Sequence, residues 1–275
     1  MKKALVLYSG GLDSRLVVRM LQEQGYDVEA LHFALPFGCG CIDCKKKENL
    51  KITISDITKE PALSEYLAIL KKPKFGTGAG INPCIDCKIF MFKKAKEYAD
   101  KRGHGVIATG EVPGQRPMSQ TKSAQKKIDE EIRFKITRPL ADAGFSGRSR
   151  KKQMTLAEKY GIKYPSPGGG CFLCEKEPSR RLDTLLKKDL INEKTLSLTM
   201  IGRHFFIDDI WFVVARNETE SNLITKFKTS IQDAKGKPSV YYSNVKGRQK
   251  ALELQNAYST NASEEQRKKF KEVKL

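Results

Sequence analysis

The chain has 275 residues, 39% of them hydrophobic, enough to bury a core without help from disulfides. Its 51 lysines and arginines against 32 aspartates and glutamates give a formal charge of +19, which disfavours a basic partner and points to a polyanion such as nucleic acid; a merely solvated charged surface is the plainer alternative. No stretch approaches the roughly 18 apolar residues of a membrane span, and Met-Lys-Lys runs directly into a strand-like segment with no signal-peptide pattern, so no membrane association and a cytoplasmic location are expected.

Residues 4–8 form an apolar run ending at Ser9-Gly10-Gly11, after which Leu12, Leu16, Val17, Met20 and Leu21 recur at helical spacing up to Gly25. The pattern predicts strand, glycine turn, helix. Val28–Phe33, Leu50–Ile54 and Val106–Ala108 read as further strands with helical patterns between several of them, and this alternation predicts an α/β fold with a parallel, helix-covered sheet. Between Cys84 and Gly103, Ile85, Ile89, Phe92, Ala95 and Ala99 line one side and lysines the other, predicting an amphipathic helix that presents Cys84 and Cys87 at its N-terminal end. Residues 112–135 show no clear period and predict a long, mobile, basic loop. The basic run Arg148 to Lys152 leads into a short helix, and the segment Tyr164 to Gly170, rich in proline and glycine, is irregular. Beyond Arg181 the pattern becomes β-like, with His204–Ile207 and Ile210–Val214 predicting a hairpin around Asp208-Asp209. A boundary near residue 182 thus separates residues 1–182 from a smaller α+β domain, residues 183–275, which ends in a charged helix or tail from Ala262 to Leu275.

Backbone N–H groups of a glycine turn at a helix start form an anion site, to which Ser9 and Ser14 add hydroxyl donors while Asp13 suits Mg²⁺. The stretch Ser9-Gly10-Gly11-Leu12-Asp13-Ser14 resembles the signature of the PP-loop ATP pyrophosphatases, which have an adenine nucleotide α-hydrolase-like fold and cleave ATP between the α and β phosphates to adenylate a substrate oxygen. Gly80 to Cys87, Ile107 to Gly110 and Gly170-Cys171-Phe172 then stand in the order found in the tRNA 2-thiouridylases. That resemblance, over roughly the first 180 residues, implies essential cysteines at Cys84 and Cys171, a nucleotide contact at Gly110, and adenine contacts at His32 and Phe33. Glu111 stands where that family commonly has histidine, Cys39, Cys41 and Cys44 are additional, and the C-terminal region resembles the RNA-binding domain of the NFACT proteins.

In a reducing compartment, seven cysteines in close-spaced groups read as metal or redox ligands and not as disulfides. Two sulfur chemistries fit. Either Cys171 carries a persulfide and Cys84 resolves it, or Cys84, Cys87 and Cys171 hold a 4Fe-4S cluster whose open iron carries sulfide, as in the iron-sulfur-dependent tRNA thiolases that share this spacing. Cys39, Cys41 and Cys44, joined by Cys174, are read as a Zn²⁺ site, a second catalytic or cluster site, or free thiols. His104 reads as a solvated loop residue and His204 as a strand opener; Asp86 either orients a group in the site or is an exposed partner of the helix dipole.

Phosphate contacts are expected from Arg148, Arg150, Lys151 and Lys152 in the first domain and from Arg203, Arg216, Lys246 and Arg248 in the second. The expected function is ATP-dependent tRNA uridine thiolation, with ATP, Mg²⁺, tRNA and a sulfur donor, a protein persulfide or sulfide, as partners. The rivals are a PP-loop ligase or amidotransferase acting on a small metabolite and a non-catalytic RNA-binding protein.

Overall fold

Four strands, β1 (Lys3–Leu7), β2 (Asp27–Ala34), β3 (Lys51–Asp56) and β4 (Val106–Thr109), pair in parallel in the order β3-β2-β1-β4. The structure, a computed structural model, describes residues 2–38, 50–166 and 171–275. Because side chains alternate across a strand, Ala4 and Val6 of β1 face one layer and Leu5 the other. A strand buried on both faces needs apolar residues throughout, which is why Ala-Leu-Val-Leu is continuous. The first layer is α1 (Leu12–Glu23) through Leu12, Leu16, Val17 and Leu21, joined by Leu140 and Ala157. The helix α2 (Ala62–Lys71) precedes the second layer, in which Ile85, Ile89, Phe92, Ala95 and Ala99 of α3 (Cys84–Arg102) cover Leu5, Leu31 and Ile107. Gly103 ends α3 in the left-handed conformation, φ 71°, that glycine adopts without strain.

The expected loop at 112–135 is corrected: residues 122–132 form the helix α4 (Lys122–Ile132). Thr121 caps it by accepting from the Ala124 N–H, and Ala124, Ile128 and Ile132, four apart, close the second layer. Two short helices, α5 (Pro139–Asp142) and α6 (Lys151–Lys159), and a 3-10 turn at Phe172–Cys174 complete the first of two compact units, Met1–Glu175.

The second unit, Lys176–Leu275, opens with α7 (Lys176–Lys187), so the cut expected at residue 182 falls inside a helix whose Leu182, Leu185 and Leu186 are buried. Its antiparallel sheet runs β5 (Arg203–Ile207), β6 (Ile210–Val214), β8 (Val240–Tyr242), β7 (Ser230–Ile231). The β5–β6 hairpin turns at Asp208 and Asp209, both at positive φ (49° and 60°), the geometry a two-residue hairpin requires and aspartate tolerates. Around the sheet lie α8 (Glu218–Ile224), α9 (Arg248–Ala257) and α10 (Glu264–Lys268), the last held by a Ser263–Gln266 capping box. Residues after α10 are not a loose tail: Phe270 is buried, the Phe206 N–H donates to the Val273 carbonyl, and Leu275 N–H donates to that of His204.

Two histidines differ from their expected surroundings or gain a role in packing. His104 is enclosed, its side chain 3% exposed and its Nε2 3.3 Å from Glu29 on β2. Burial would raise the Glu29 pKa, but hydrogen bonds from Tyr98 (2.5 Å), Thr53 (2.7 Å) and Lys51 (3.1 Å) outweigh it and hold the carboxylate down at about 2. A folded-state value below the ordinary 4.5 stabilises the fold above that pH, and the contribution is lost as pH falls toward about 2. Glu29→Gln should therefore flatten the acid limb of the urea-midpoint profile over this window; an unchanged profile would deny Glu29 the role. His204 is fully buried: Trp211 Nε1–H donates to its Nδ1 (3.0 Å) and its Nε2–H donates to the Ile201 carbonyl (2.7 Å). Burial and the nearby Arg181 charge push its pKa to about 3, so the ring stays neutral.

Candidate functional site

The site begins where β1 ends. Its strand order places β1 between β2 and β4, at the switch in winding direction, where open parallel sheets bind ligands beyond the carboxyl ends of their strands. There the chain turns through Ser9, Gly10 and Gly11, with Gly10 at φ 77°, into α1, whose start at Gly11 has no side-chain cap. The Ser14 hydroxyl donates to the Gly11 carbonyl at 2.9 Å and lies 3.4 Å from the Ser9 hydroxyl, which accepts from the Gly11 N–H. Leu12 is buried and anchors the turn.

Asp13 carries the strongest chemical signal. Gln115 donates to its Oδ2 at 3.1 Å, while its Oδ1 is buried with no hydrogen-bond partner among the described residues. Burial raises its pKa, opposed by the Gln115 hydrogen bond and by the charges of Arg150 and Arg116. An orphaned hard oxygen beside a phosphate-type turn fits a divalent cation such as Mg²⁺. Arg150, itself with a buried and unpartnered Nε, lies within electrostatic reach, whereas Arg148, Lys151 and Lys152 are exposed. Gln115 and Arg116 lie in the stretch that the sequence predicts as a long, mobile, basic loop, and neither stands out there; their only sequence signal is their position shortly after Thr109-Gly110.

Gly110 packs against this turn from the end of β4. A Cβ there would meet the Asp13 carbonyl carbon at 2.8 Å and the Ser14 nitrogen at 2.9 Å, so backbone approaches backbone. Glu111 is buried and ion-paired to Lys88 (3.2 Å) and Arg138 (3.3 Å). His32 is held by its Nδ1, 2.9 Å from the Tyr8 carbonyl beside the turn, and Phe33, which follows it on β2, packs against the layer that α3 covers; both are half-buried.

Four thiols gather nearby in the same unit. Cys84 and Cys87 open α3; Asn82 donates to the Cys84 sulfur (3.1 Å), and Tyr66 lies 3.8 Å from that of Cys87. The Cys171 thiol donates to the Phe37 carbonyl (3.1 Å), and Ile81 N–H donates to the Leu173 carbonyl, tying the Phe172–Cys174 turn to the loop ahead of α3. Cys174, which the sequence groups with Cys39, Cys41 and Cys44, sits in the turn that follows Cys171, its N–H donating to the Cys171 carbonyl at 2.8 Å; those three lie outside the described residues. Burial pushes the Cys87 thiol up to about 11 and that of Cys171 up to about 12. Among the described residues, no three potential ligands stand close enough to share a single metal ion. Asp86 is not exposed: it is buried and accepts from the backbone N–H groups of Lys74 and Phe75, because it anchors the segment preceding the cysteine loop.

In the second unit Arg203 donates to the Ala215 carbonyl and stacks over Tyr258, and Arg216 forms a tight pair with Glu220. Lys246 and Arg248 are exposed at the start of α9.

Residues 1–182 match the model of the family described as Thiamine biosynthesis protein (ThiI). The chain is 31% identical over 119 residues to the tRNA-specific 2-thiouridylase MnmA 1 of Aliarcobacter butzleri (strain RM4018), covering 40% of this chain and 34% of that protein. It is 30% identical over 174 residues to a probable tRNA sulfurtransferase of Thermoanaerobacter sp. (strain X514), covering 57% and 40%. Against the tRNA-specific 2-thiouridylase MnmA of Pseudomonas savastanoi pv. phaseolicola (strain 1448A / Race 6), identity is 26% over 269 residues, covering 82% and 71%. The chain thus spans between a third and two-fifths of the length of the first two relatives. With the family match covering both the phosphate turn and all four described cysteines, this chain belongs to the ThiI family.

Proposed function

We propose that the chain uses ATP to activate a tRNA uridine and then replaces the uridine oxygen with sulfur. One observation carries this reading: the phosphate-type turn, with the unpartnered Asp13 Oδ1 beside it, and Cys84, Cys87, Cys171 and Cys174 all fall within the stretch that matches the family model. Ser9, Ser14 and the N–H groups of the Gly10–Gly11 turn would hold the ATP phosphates, and Asp13 would hold Mg²⁺, which supplies charge neutralisation. His32 and Phe33 flank the adenine and Gly110 keeps the turn in place. The uridine oxygen attacks the α-phosphorus, pyrophosphate leaves past Arg150 and Arg116, and sulfur then displaces AMP from the ring carbon.

Two donor sets suit the sulfur step. Cys171 and Cys84 would act as persulfide carrier and resolving thiol. Alternatively Cys84, Cys87 and Cys171 offer the thiolate chemistry of a 4Fe-4S cluster, which would supply an open iron for sulfide. A Zn²⁺ site rests on Cys39, Cys41 and Cys44 alone. Iron and sulfide analysis of anaerobically purified protein separates the two routes: a colourless, iron-free, active enzyme discards the cluster.

Arg203, Arg216, Lys246 and Arg248 of the second unit, like Arg148, Lys151 and Lys152 of the first, are read as phosphate contacts to tRNA, consistent with the +19 charge. Replacing Lys246 and Arg248 together by alanine is expected to weaken tRNA binding and to lower the slope of log K against log salt by about two. An unchanged slope removes this surface from the interface. No helix of the described residues is long and apolar enough to cross a membrane, and the cytoplasm, where tRNA is modified, is the proposed location.

The deciding experiment gives the protein ATP, Mg²⁺, a sulfur source and unmodified tRNA and reads pyrophosphate release and thionucleosides. Release that requires tRNA, with a thiouridine in the digest, establishes the reaction; release without tRNA favours a small-metabolite ligase, and none at all a non-catalytic RNA-binding protein.

A further inference from the structure

Two helix starts lie side by side in the first unit. Tyr160, which follows α6, donates to Glu23 at the end of α1 (2.8 Å), and Arg19 stands over its ring at 5.7 Å. At the other end, Gly147 N–H donates to the Pro113 carbonyl (2.8 Å), and a Cβ on Gly114 would come 3.6 Å from the Gly147 Cα. Gln115, next in the chain, donates to Asp13 in the first turn of α1. The helices α1 and α6 thus run in the same direction with their N-terminal ends together, and neither start, at Gly11 or at Arg150, has a side-chain cap. Two positive dipole ends oppose each other unless an anion lies between them.

The start of α6 offers donors and no acidic partner. Its first turn carries Lys151 and Lys152 and no acidic residue, and the N–H groups of Lys152 and Gln153 have no acceptor among the described residues. Arg150 Nε is buried without a hydrogen-bond partner, and so is the Nε2 of Gln153, a residue 1% exposed. Gln153 shares with Leu156, Ala157 and Tyr160 the stripe of α6 that packs on the layer of α1, a position where an apolar side chain would avoid the cost of an enclosed, unpaired amide. About two helical turns separate it from Tyr160, and the same step back from Arg19 or Glu23 reaches Leu12 or Leu16 at the start of α1. Helical side chains lean toward the N-terminus, so the amide is aimed at the paired helix starts.

We propose that the start of α6 is a second phosphate subsite, which takes the terminal phosphates of ATP beside the phosphate held at the Ser9–Ser14 turn. Its donors are Gln153 Nε2, the Arg150 guanidinium and the N–H groups of Lys152 and Gln153. This rests on the ATP reading of that turn. The subsite forms and breaks no bond; it holds the pyrophosphate half of the nucleotide, and an anion shared by two helix starts relieves the opposition of their dipoles.

Calorimetric titration of the full chain with ATP, inorganic pyrophosphate and AMP, each with Mg²⁺, tests this in Gln153→Leu and Gln153→Met, which replace the amide by an apolar group of similar size. Affinity for ATP and for pyrophosphate is expected to fall about tenfold, the scale of one hydrogen bond to a charged group, with AMP affinity unchanged. The thermal midpoint should hold or rise, because an unpaired buried donor has been removed. Equal loss for all three ligands, the mark of a distorted fold, overturns the subsite, as does unchanged pyrophosphate affinity. If affinity for tRNA without ATP falls in place of pyrophosphate affinity, the donors serve a tRNA phosphate and the assignment to ATP is wrong. A wild-type chain that binds neither ATP nor pyrophosphate removes the ATP reading and the subsite with it, whereas wild-type binding matched by both variants removes the subsite alone.

Discussion

Asp13→Asn is expected to cut tRNA-dependent pyrophosphate release by about a hundred- to a thousand-fold, the scale on which loss of one preorganised electrostatic partner acts. The same variant should be at least as stable as the natural protein. Burial raises the Asp13 pKa, so at neutral pH the folded state carries the cost of an enclosed negative charge with one oxygen unpartnered. Asparagine removes that charge and can still accept from Gln115. Paired measurements of the thermal midpoint and of pyrophosphate release at saturating Mg²⁺ check both halves. Full activity in the variant would mean that the cation is held elsewhere. The raised pKa also sets a direction for pH: the ionised form is the one that holds the cation, so activity should fall as pH drops through a value above the ordinary 3.8, an onset that bound Mg²⁺ moves lower.

Gly110→Ala is expected to cost about 1–3 kcal/mol of stability and to weaken ATP binding at the same time. The added carbon would stand 2.8 Å from the Asp13 carbonyl carbon and 2.9 Å from the Asp13 carbonyl oxygen and Ser14 nitrogen, all backbone atoms. A side chain could rotate away from such a contact; the first turn of α1 can only be displaced, and with it the anion site. Gly11→Ala provides the contrast, since its nearest neighbour would be the Ser9 hydroxyl at 3.5 Å and its φ of −79° suits any residue. That variant should keep its unfolding midpoint. Calorimetric ATP titrations beside thermal unfolding of the two variants test the argument, and an unchanged midpoint in Gly110→Ala would refute it.

Elements that carry their own local signals were legible. A glycine turn between an apolar run and a 3.6-residue pattern located the Ser9–Ser14 loop, and paired aspartates between two apolar runs located the β5–β6 hairpin. The helix α4 was missed because lysines and glutamates surround a sparse stripe of Ala124, Ile128 and Ile132, which is recognisable only against the core it covers. Burial of His104 was equally illegible, since its partner Glu29 lies on β2 and reaches it only when the sheet is assembled.

The sequence by itself determined the strand-turn-helix that can hold phosphate, the four strands that alternate with helices and the Cys84–Cys87 pair at a helix start, because each depends on residues that are neighbours along the chain. Only the tertiary structure decided that Gln115 reaches Asp13, that Gly110 has no room for a side chain, and that the Phe172–Cys174 turn meets the loop ahead of α3. These contacts join segments far apart in sequence, and long-range packing sets their distances where local pattern has no hold.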